Sequence, residues 1–310
     1  IRGMGELADH LCDTIDAAVG EEEEAWTLFR RALADGYHLE AALEQNKLPD
    51  SLIQKVVRGT WEFVANDDYA LLKSAINGET TFPLTTLFCG LFQSTSRNID
   101  VITTNYDRVV EYAADCGGYI SHSGFLPGYM RRADGAENLT FRQGSQQART
   151  ITVWKVHGSL DWFKDPTGGV VSLPLMKDLP GGLTPLIVTP GVSKYQRTHE
   201  EPFRSAIHGA DRVLKSATAI ICIGYGFRDN HIHPKLVTRC KLHDVPILVA
   251  AKELTPEARD FVKINGGRHF VALEDHADGM KVYTRENPDG AVVAGEKYWA
   301  LQALNDLIGF

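Results

Sequence analysis

The chain has 310 residues, 44% of them hydrophobic and 23% charged, with a formal net charge of -8. That length supports one large domain or two of moderate size, and the composition is that of a soluble globular protein. The negative balance argues against general affinity for nucleic acid, because phosphate binding is driven by dense Lys and Arg. No apolar stretch is long enough to span a bilayer and no signal peptide is evident, so the expected location is cytoplasmic, with no membrane partner.

The first hundred residues read as helix. Apolar positions recur at helical spacing in Met4, Leu7, Leu11, Ile15 and Val19, and again in Trp26, Leu28, Phe29 and Leu33. Asp50-Ser51 reads as an N-cap before a long amphipathic run over 52–76, and a more apolar helix is expected over 85–92. The pattern changes at Asn98, where Ile99, Val101 and Ile102 form a short apolar strand followed by a helix carrying Val109, Val110, Tyr112 and Ala113. Residues 117–149 read as an excursion over one face of a sheet, with a hairpin around Leu139 and Phe141.

Four further strands are expected over 151–156, 186–189, 219–224 and 245–251, with helices over 200–216, 233–241 and 256–264 and a last amphipathic helix over 296–308. Short apolar strands alternating with helices give the fold class: α/β, a Rossmann-like mostly parallel sheet with a helical module at the N-terminal side. The expected boundaries are a helical module at 1–97 and a Rossmann-like domain at 98–310. The five cysteines (Cys12, Cys89, Cys116, Cys222 and Cys240) form no C-x-x-C pair and suit neither a zinc ribbon nor a disulfide framework.

In doubly wound sheets, ligands bind beyond the carboxyl ends of strands. The residues there are unusually polar. The first group is Thr103, Thr104, Asn105, Tyr106 and Asp107: Asn offers a donor and an acceptor to a ribose or a water, and Asp107 an acceptor for hydroxyls, although both residue types also cap helices. The second is His157, Gly158 and Ser159, in which the histidine can act as a general base and the glycine permits close approach. Ser159 and His157 do not form a hydrolase dyad, because the G-x-S-x-G elbow is missing.

The third group is Gly224, Tyr225, Gly226, Phe227 and Asp229 after a strong strand, a partial dinucleotide fingerprint with Asp229 where the third glycine would stand. An ordinary tight turn with Asp229 as helix cap is the other reading of the same residues. A fourth strand end, at Thr189, Pro190 and Gly191, is compatible with a pocket rim.

The order and spacing of these groups resemble the sirtuin-like domains of bacterial anti-phage defence systems, and among them the subunit that partners a HerA-type ATPase. The resemblance covers about residues 99–251 and implies an NAD-binding domain at 98–310, with its first strand and Gly-rich phosphate loop upstream of residue 1. It implies that Asn105, Asp107 and His157 carry catalysis and that Thr103, Thr104, Tyr106, Gly158, Ser159, Gly224, Tyr225, Gly226, Phe227 and Asp229 bind NAD, which is the substrate. Thr104 stands where classical sirtuins have Gln, and the four-cysteine zinc module is missing, which speaks against protein deacylation. The expected activity is hydrolysis of the nicotinamide–ribose bond, depleting NAD in defence against phage, by a homo-oligomer under the control of a partner. A non-catalytic NAD or ADP-ribose sensor, a nuclease and a deacylase are the alternatives; no metal site is expected.

Overall fold

The computed structural model describes residues 3–133, 139–174, 176–189 and 200–310. By its contacts the chain divides into two compact units, Ile1–Thr81 with Asp100–Ile207, and Phe82–Ile99 with His208–Phe310.

In the first unit the apolar spacing is followed by α1 (Met4–Thr14), α2 (Glu21–Ala34) and α4 (Asp50–Ile76), but α1 ends before Ile15 and exposed Val19, and α3 (Leu39–Gln45) was not expected. Their buried faces, with Leu11, Trp26, Phe29, Leu52, Val56 and Trp61, merge with Leu160, Phe163, Val171 and Ile187 into one core. The helices up to Thr81 therefore share a unit with the strands they cover. Trp61 fixes the contact: its Nε1 donates to the carbonyl of Leu160 at 2.8 Å, so the indole is buried without stranding its polar atom. Asp50 and Ser51 do not cap α4. Pro49 occupies the cap position and Asp50 lies in the first turn, where its charge favours the helix dipole, while the Ser51 hydroxyl donates to Glu22.

The strand at 98–103 is β1 (Asn98–Thr103), leading towards α6 (Val109–Cys116). It lies in a three-stranded sheet of order β1-β6-β2, in which β2 (Ile120–His122) and β6 (Thr150–Lys155) run parallel. Every residue of β6 is buried, as expected of a strand covered on both faces. Only Val156 and His157 separate it from β7 (Gly158–Lys164). A parallel crossover needs a dozen or more residues, so β7 leaves this sheet and enters an antiparallel one.

The antiparallel sheet has the order β3-β8-β7-β9, with β3 (Arg131–Arg132), β8 (Val170–Ser172) and β9 (Thr184–Ile187). The strand expected at 186–189 is thus β9, antiparallel to β7 rather than part of the parallel sheet. The small hairpin of β4 (Arg142–Gln143) and β5 (Gln146–Gln147) falls just after the expected place and turns at Gly144, whose φ of +63° suits glycine. Pro190 and Gly191 lie outside the described residues. The next helix, α7 (Phe203–Ser216), starts after Pro202 rather than at residue 200.

The second unit contains α5 (Pro83–Leu91) and a five-stranded sheet of β10 (Ile220–Ile223), β11 (Ile247–Ala251), β12 (Phe270–His276), β13 (Gly279–Tyr283) and β14 (Ala291–Ala294), in that order. The first three strands are parallel and the last two antiparallel. The connections carry α8 (His233–Val237), which runs into a π-helical turn at Thr238–Leu242, and α9 (Pro256–Asp260), which runs into another at Phe261–Asn265. Thr255 caps α9 by accepting from the Ala258 amide at 3.1 Å.

The last helix, α10 (Leu301–Ile308), is shorter than expected: Asp275 holds Lys297 at 3.0 Å and the Trp299 indole at 2.9 Å ahead of the helix. Asn305 Nδ2 donates to the Pro83 carbonyl at 2.8 Å, and the Phe310 ring occupies the space a Cβ would need at Gly90. The fold class is the one expected: mixed α/β and Rossmann-like, with helices at the N-terminal side. Among the described residues, no helix is long and apolar enough to cross a membrane.

Candidate functional site

The polar residues at the ends of β1 and β6 come together because the backbone stitches the two segments side by side. The Val156 amide donates to the Thr103 carbonyl at 3.1 Å, and the Leu160 amide to the Tyr106 carbonyl at 3.0 Å. The Tyr106 hydroxyl donates to the Val188 carbonyl, and the Val188 amide donates to the His157 carbonyl at 2.9 Å. Thr103, Tyr106 and His157 are thereby fixed on one small frame.

Within that frame the residues play different parts. Asn105 is exposed at the tip of its turn, its amide held by the Thr103 hydroxyl at 3.1 Å. Thr104 and His157 are partly exposed. Asp107 is 8% exposed, and its Oδ1 accepts from the Val109 amide at 3.1 Å. Its carboxylate therefore shapes the start of α6 through a local turn, one residue ahead of Arg108, which occupies the cap position. Ser159 is fully buried and donates to Asp161, so its hydroxyl props the site from behind.

Gly158 has a φ of +89°, and a Cβ there would lie 2.1 Å from the Leu186 carbonyl oxygen, a backbone atom that cannot swing away. Its contribution is the close approach of β7 to β9. Gly158→Ala is expected to lower stability by more than about 1 kcal/mol, read as an earlier urea midpoint, since alanine is strained at positive φ even before the clash. A midpoint equal to the wild type would show that the strands separate freely here.

Behind the turn lies a group of charges that the sequence reading did not single out. Lys155 is 0% exposed, and its ammonium donates to the Asp107 carbonyl and stands 3.3 Å from Glu111 Oε1. Burial pushes the Glu111 carboxyl up to about 7, against the attraction of Lys155 and with help from the charge of Asp161. Burial would raise Asp161 too, but Arg131, Ser159, Lys155 and Ser172 hold it below the usual carboxylate range. Arg131 reaches it at 2.6 Å and Ser172 at 2.7 Å. The signal in the sequence was slight: a lysine between Trp154 and Val156, at the end of a buried strand.

The third group lies in the second unit, at the end of β10. Gly224 has a φ of +60° and Phe227 one of +57°, unusual for a bulky residue. Packing holds Phe227 there, with Tyr225 at 4.9 Å and Phe261 at 4.6 Å between ring centroids. The Gly226 carbonyl accepts from the Thr255 hydroxyl at 2.7 Å. Asp229 Oδ1 accepts from the amides of His231 and Ile232 at 2.8 and 3.1 Å, so it turns the chain into α8. His233 Nδ1 lies 2.6 Å from the Phe227 carbonyl. Among the described residues, no group of three or more His, Cys, Asp or Glu side chains is arranged to hold a metal ion.

The first unit also has a cavity of about 550 Å³ walled by Phe125, Val153, Trp154, Trp162 and Arg132. None of the residues singled out in the sequence is among those lining it.

No curated protein matches the chain. The strand ends described above fall inside a segment, residues 100–240, that matches the SIR2-like domain, and this supports the sirtuin-like family for that segment.

Proposed function

We propose that the protein is an NAD hydrolase that cleaves the nicotinamide–ribose bond and acts in anti-phage defence by depleting NAD. The observation that carries this reading is the backbone frame joining the Thr103–Tyr106 segment, which carries exposed Asn105, to the Val156–Leu160 segment, which carries His157, within residues matching the SIR2-like domain. NAD is the substrate: water adds at the ribose carbon, nicotinamide leaves with the electrons of the broken bond, and the water's second proton goes to a base. The leaving step builds positive charge on the ribose, which a site must stabilise while it delivers the nucleophile.

In this reading Asn105 positions the ribose and the water through its amide, and His157 takes the proton from the water or from a ribose hydroxyl. Asp107 holds the turn that presents Asn105. Thr103, Thr104, Tyr106, Gly158 and Ser159, in the first unit, are assigned to NAD binding. Gly224, Tyr225, Gly226, Phe227 and Asp229 supply a backbone turn suited to a ribose or phosphate.

A freely active enzyme of this kind would be toxic to its host. The proposal therefore includes a homo-oligomer in the cytoplasm whose activity is controlled by a partner, a HerA-type ATPase. The test is nicotinamide release by the full-length protein with and without that ATPase, read by chromatography. Release in at least one condition is the expected result. NAD bound but never cleaved would instead make the protein a sensor, and loss of an acyl group from lysine peptides or metal-dependent cutting of DNA would make it a deacylase or a nuclease.

A further inference from the structure

We propose that Lys155 is a positioning residue for the turn at 105–107 and that Glu111, through its hold on the same ammonium, makes that turn respond to pH. The effect on catalysis rests on the NAD-hydrolase reading; the coupling between the carboxyl and the turn does not.

The argument begins with what Lys155 touches. A fully buried ammonium is costly unless it is paired and hydrogen-bonded. Here its donors go to a backbone carbonyl, that of Asp107, and to one carboxyl oxygen of Glu111 at 3.3 Å. A charge-assisted bond between ammonium and carboxylate is normally about 2.7–2.9 Å, so the ammonium leans towards the carbonyl. That carbonyl closes the turn whose tip is Asn105. The lysine thus ties β6, at its last residue, to the loop that displays the exposed amide.

Glu111 is the adjustable partner. It lies on α6, and its Oε2 is buried with no hydrogen-bond partner. Burial is what makes it titrate late, and the charges around it pull in opposite directions. Lys155 faces it from β6 and favours the ionised form, while Asp161, on β7, opposes it. Asp161 is itself held ionised by Arg131 from β3 and by Ser159 and Ser172. On α6 and the loop before it, Arg108 is committed to Asp68 and Tyr112 donates to the same carboxylate. On β2, His122 stacks edge-on against Phe141 at 5.4 Å.

When Glu111 is protonated, the ammonium answers to the Asp107 carbonyl alone and the turn is tight. When it ionises, it draws the ammonium away and the turn loosens. Burial raises this carboxyl to about 7, which puts the exchange at physiological pH.

The first experiment needs no substrate. A triple-resonance NMR correlation linking the Asp107 carbonyl carbon to the Arg108 amide is followed from pH 5.5 to 8.5 in the full chain and in Glu111→Gln. The expected result is a shift with a midpoint near 7 in the wild type that is lost in the near-isosteric variant. A signal that stays still in both, or moves alike in both, overturns the coupling.

The second experiment follows nicotinamide release over the same range. Wild-type turnover should fall above the midpoint by about tenfold per added pH unit at the steepest, while Glu111→Gln keeps the acid-side rate. Because His157 is an ionisable candidate as well, the difference between the two profiles, not either profile alone, isolates Glu111. Lys155→Met should lower kcat far more than it changes KM, and wild-type kcat in that variant would remove Lys155 from the role. A carbonyl signal that titrates in a protein that never cleaves NAD would leave the coupling standing and refute the hydrolase.

Discussion

Asn105→Ala is expected to lower nicotinamide release by at least about a hundredfold while leaving the unfolding curve in place. The two halves of that expectation come from different observations. Asn105 is exposed at the tip of its turn, and the contact that fixes it there runs from its backbone amide to the Thr103 hydroxyl, which alanine keeps. Surface changes of this sort usually move stability by no more than about 0.5 kcal/mol. The amide that alanine removes is the group assigned to hold the ribose and the water. Losing one preorganised hydrogen-bonding group in a transition state typically costs about 10²–10³ in kcat. Nicotinamide quantified by chromatography, beside a urea curve, measures both quantities. Wild-type turnover in the variant would remove Asn105 from the chemistry; a collapsed urea midpoint would show that the turn itself depends on the side chain.

Asp68→Ala is expected to be the most damaging single change to the first unit, costing about 3–5 kcal/mol. Asp68 is fully buried on α4, and its carboxylate accepts from the Arg108 amide at 2.7 Å, from Arg108 Nε at 2.9 Å and Nη2 at 2.6 Å, and from the Tyr112 hydroxyl at 2.6 Å. Alanine would leave a buried guanidinium, 5% exposed as a residue, with its charge uncompensated. The penalty reflects that stranded charge more than the worth of the intact pair, so replacing both partners with apolar residues should cost far less. Trp26, Trp61, Trp154 and Trp162 all lie in the first unit, and their fluorescence during urea unfolding reads the loss. A shift below about 1 kcal/mol would mean that water reaches Arg108 and solvates it.

What the sequence revealed, and what it hid, follows from the range of the interactions. The early helices, β1, β6, β10 and β11 were legible because their apolar spacing is local, and the polar residues that follow β1, β6 and β10 were marked by that same regularity. The hairpin of β12 and β13 was missed, although the pattern carried a sign of it: alternating residues on either side of Ala277 and Asp278, with Gly279 at a φ of +150° opposite His276. The strand β9 was found but put in the wrong sheet, because its partner depends on how little chain separates β6 from β7. The start of α10 was placed too early for a similar reason, since Asp275 captures Lys297 and Trp299 from a distant strand.

At the candidate site, exposure and partner could not be read from residue type. Asp107 and Asp229 looked like ligand acceptors and turn out to accept from the chain's own amides at the entry to helices. Ser159 looked available and is buried against Asp161. Lys155 and Glu111 lie far apart in the chain, and only the packing of α6 against β6 brings them together.

Helix α4 gives the first unit a lever. Lys55, near one end, grips Glu22 of α2 at 2.7 Å, while Asp68, farther along, grips Arg108, the residue next to Asp107. About 20 Å of continuous helix separates the two grips. A displacement of α4 along its axis would therefore be felt at Arg108, and hence at the turn that carries Asn105, far from the outer helices.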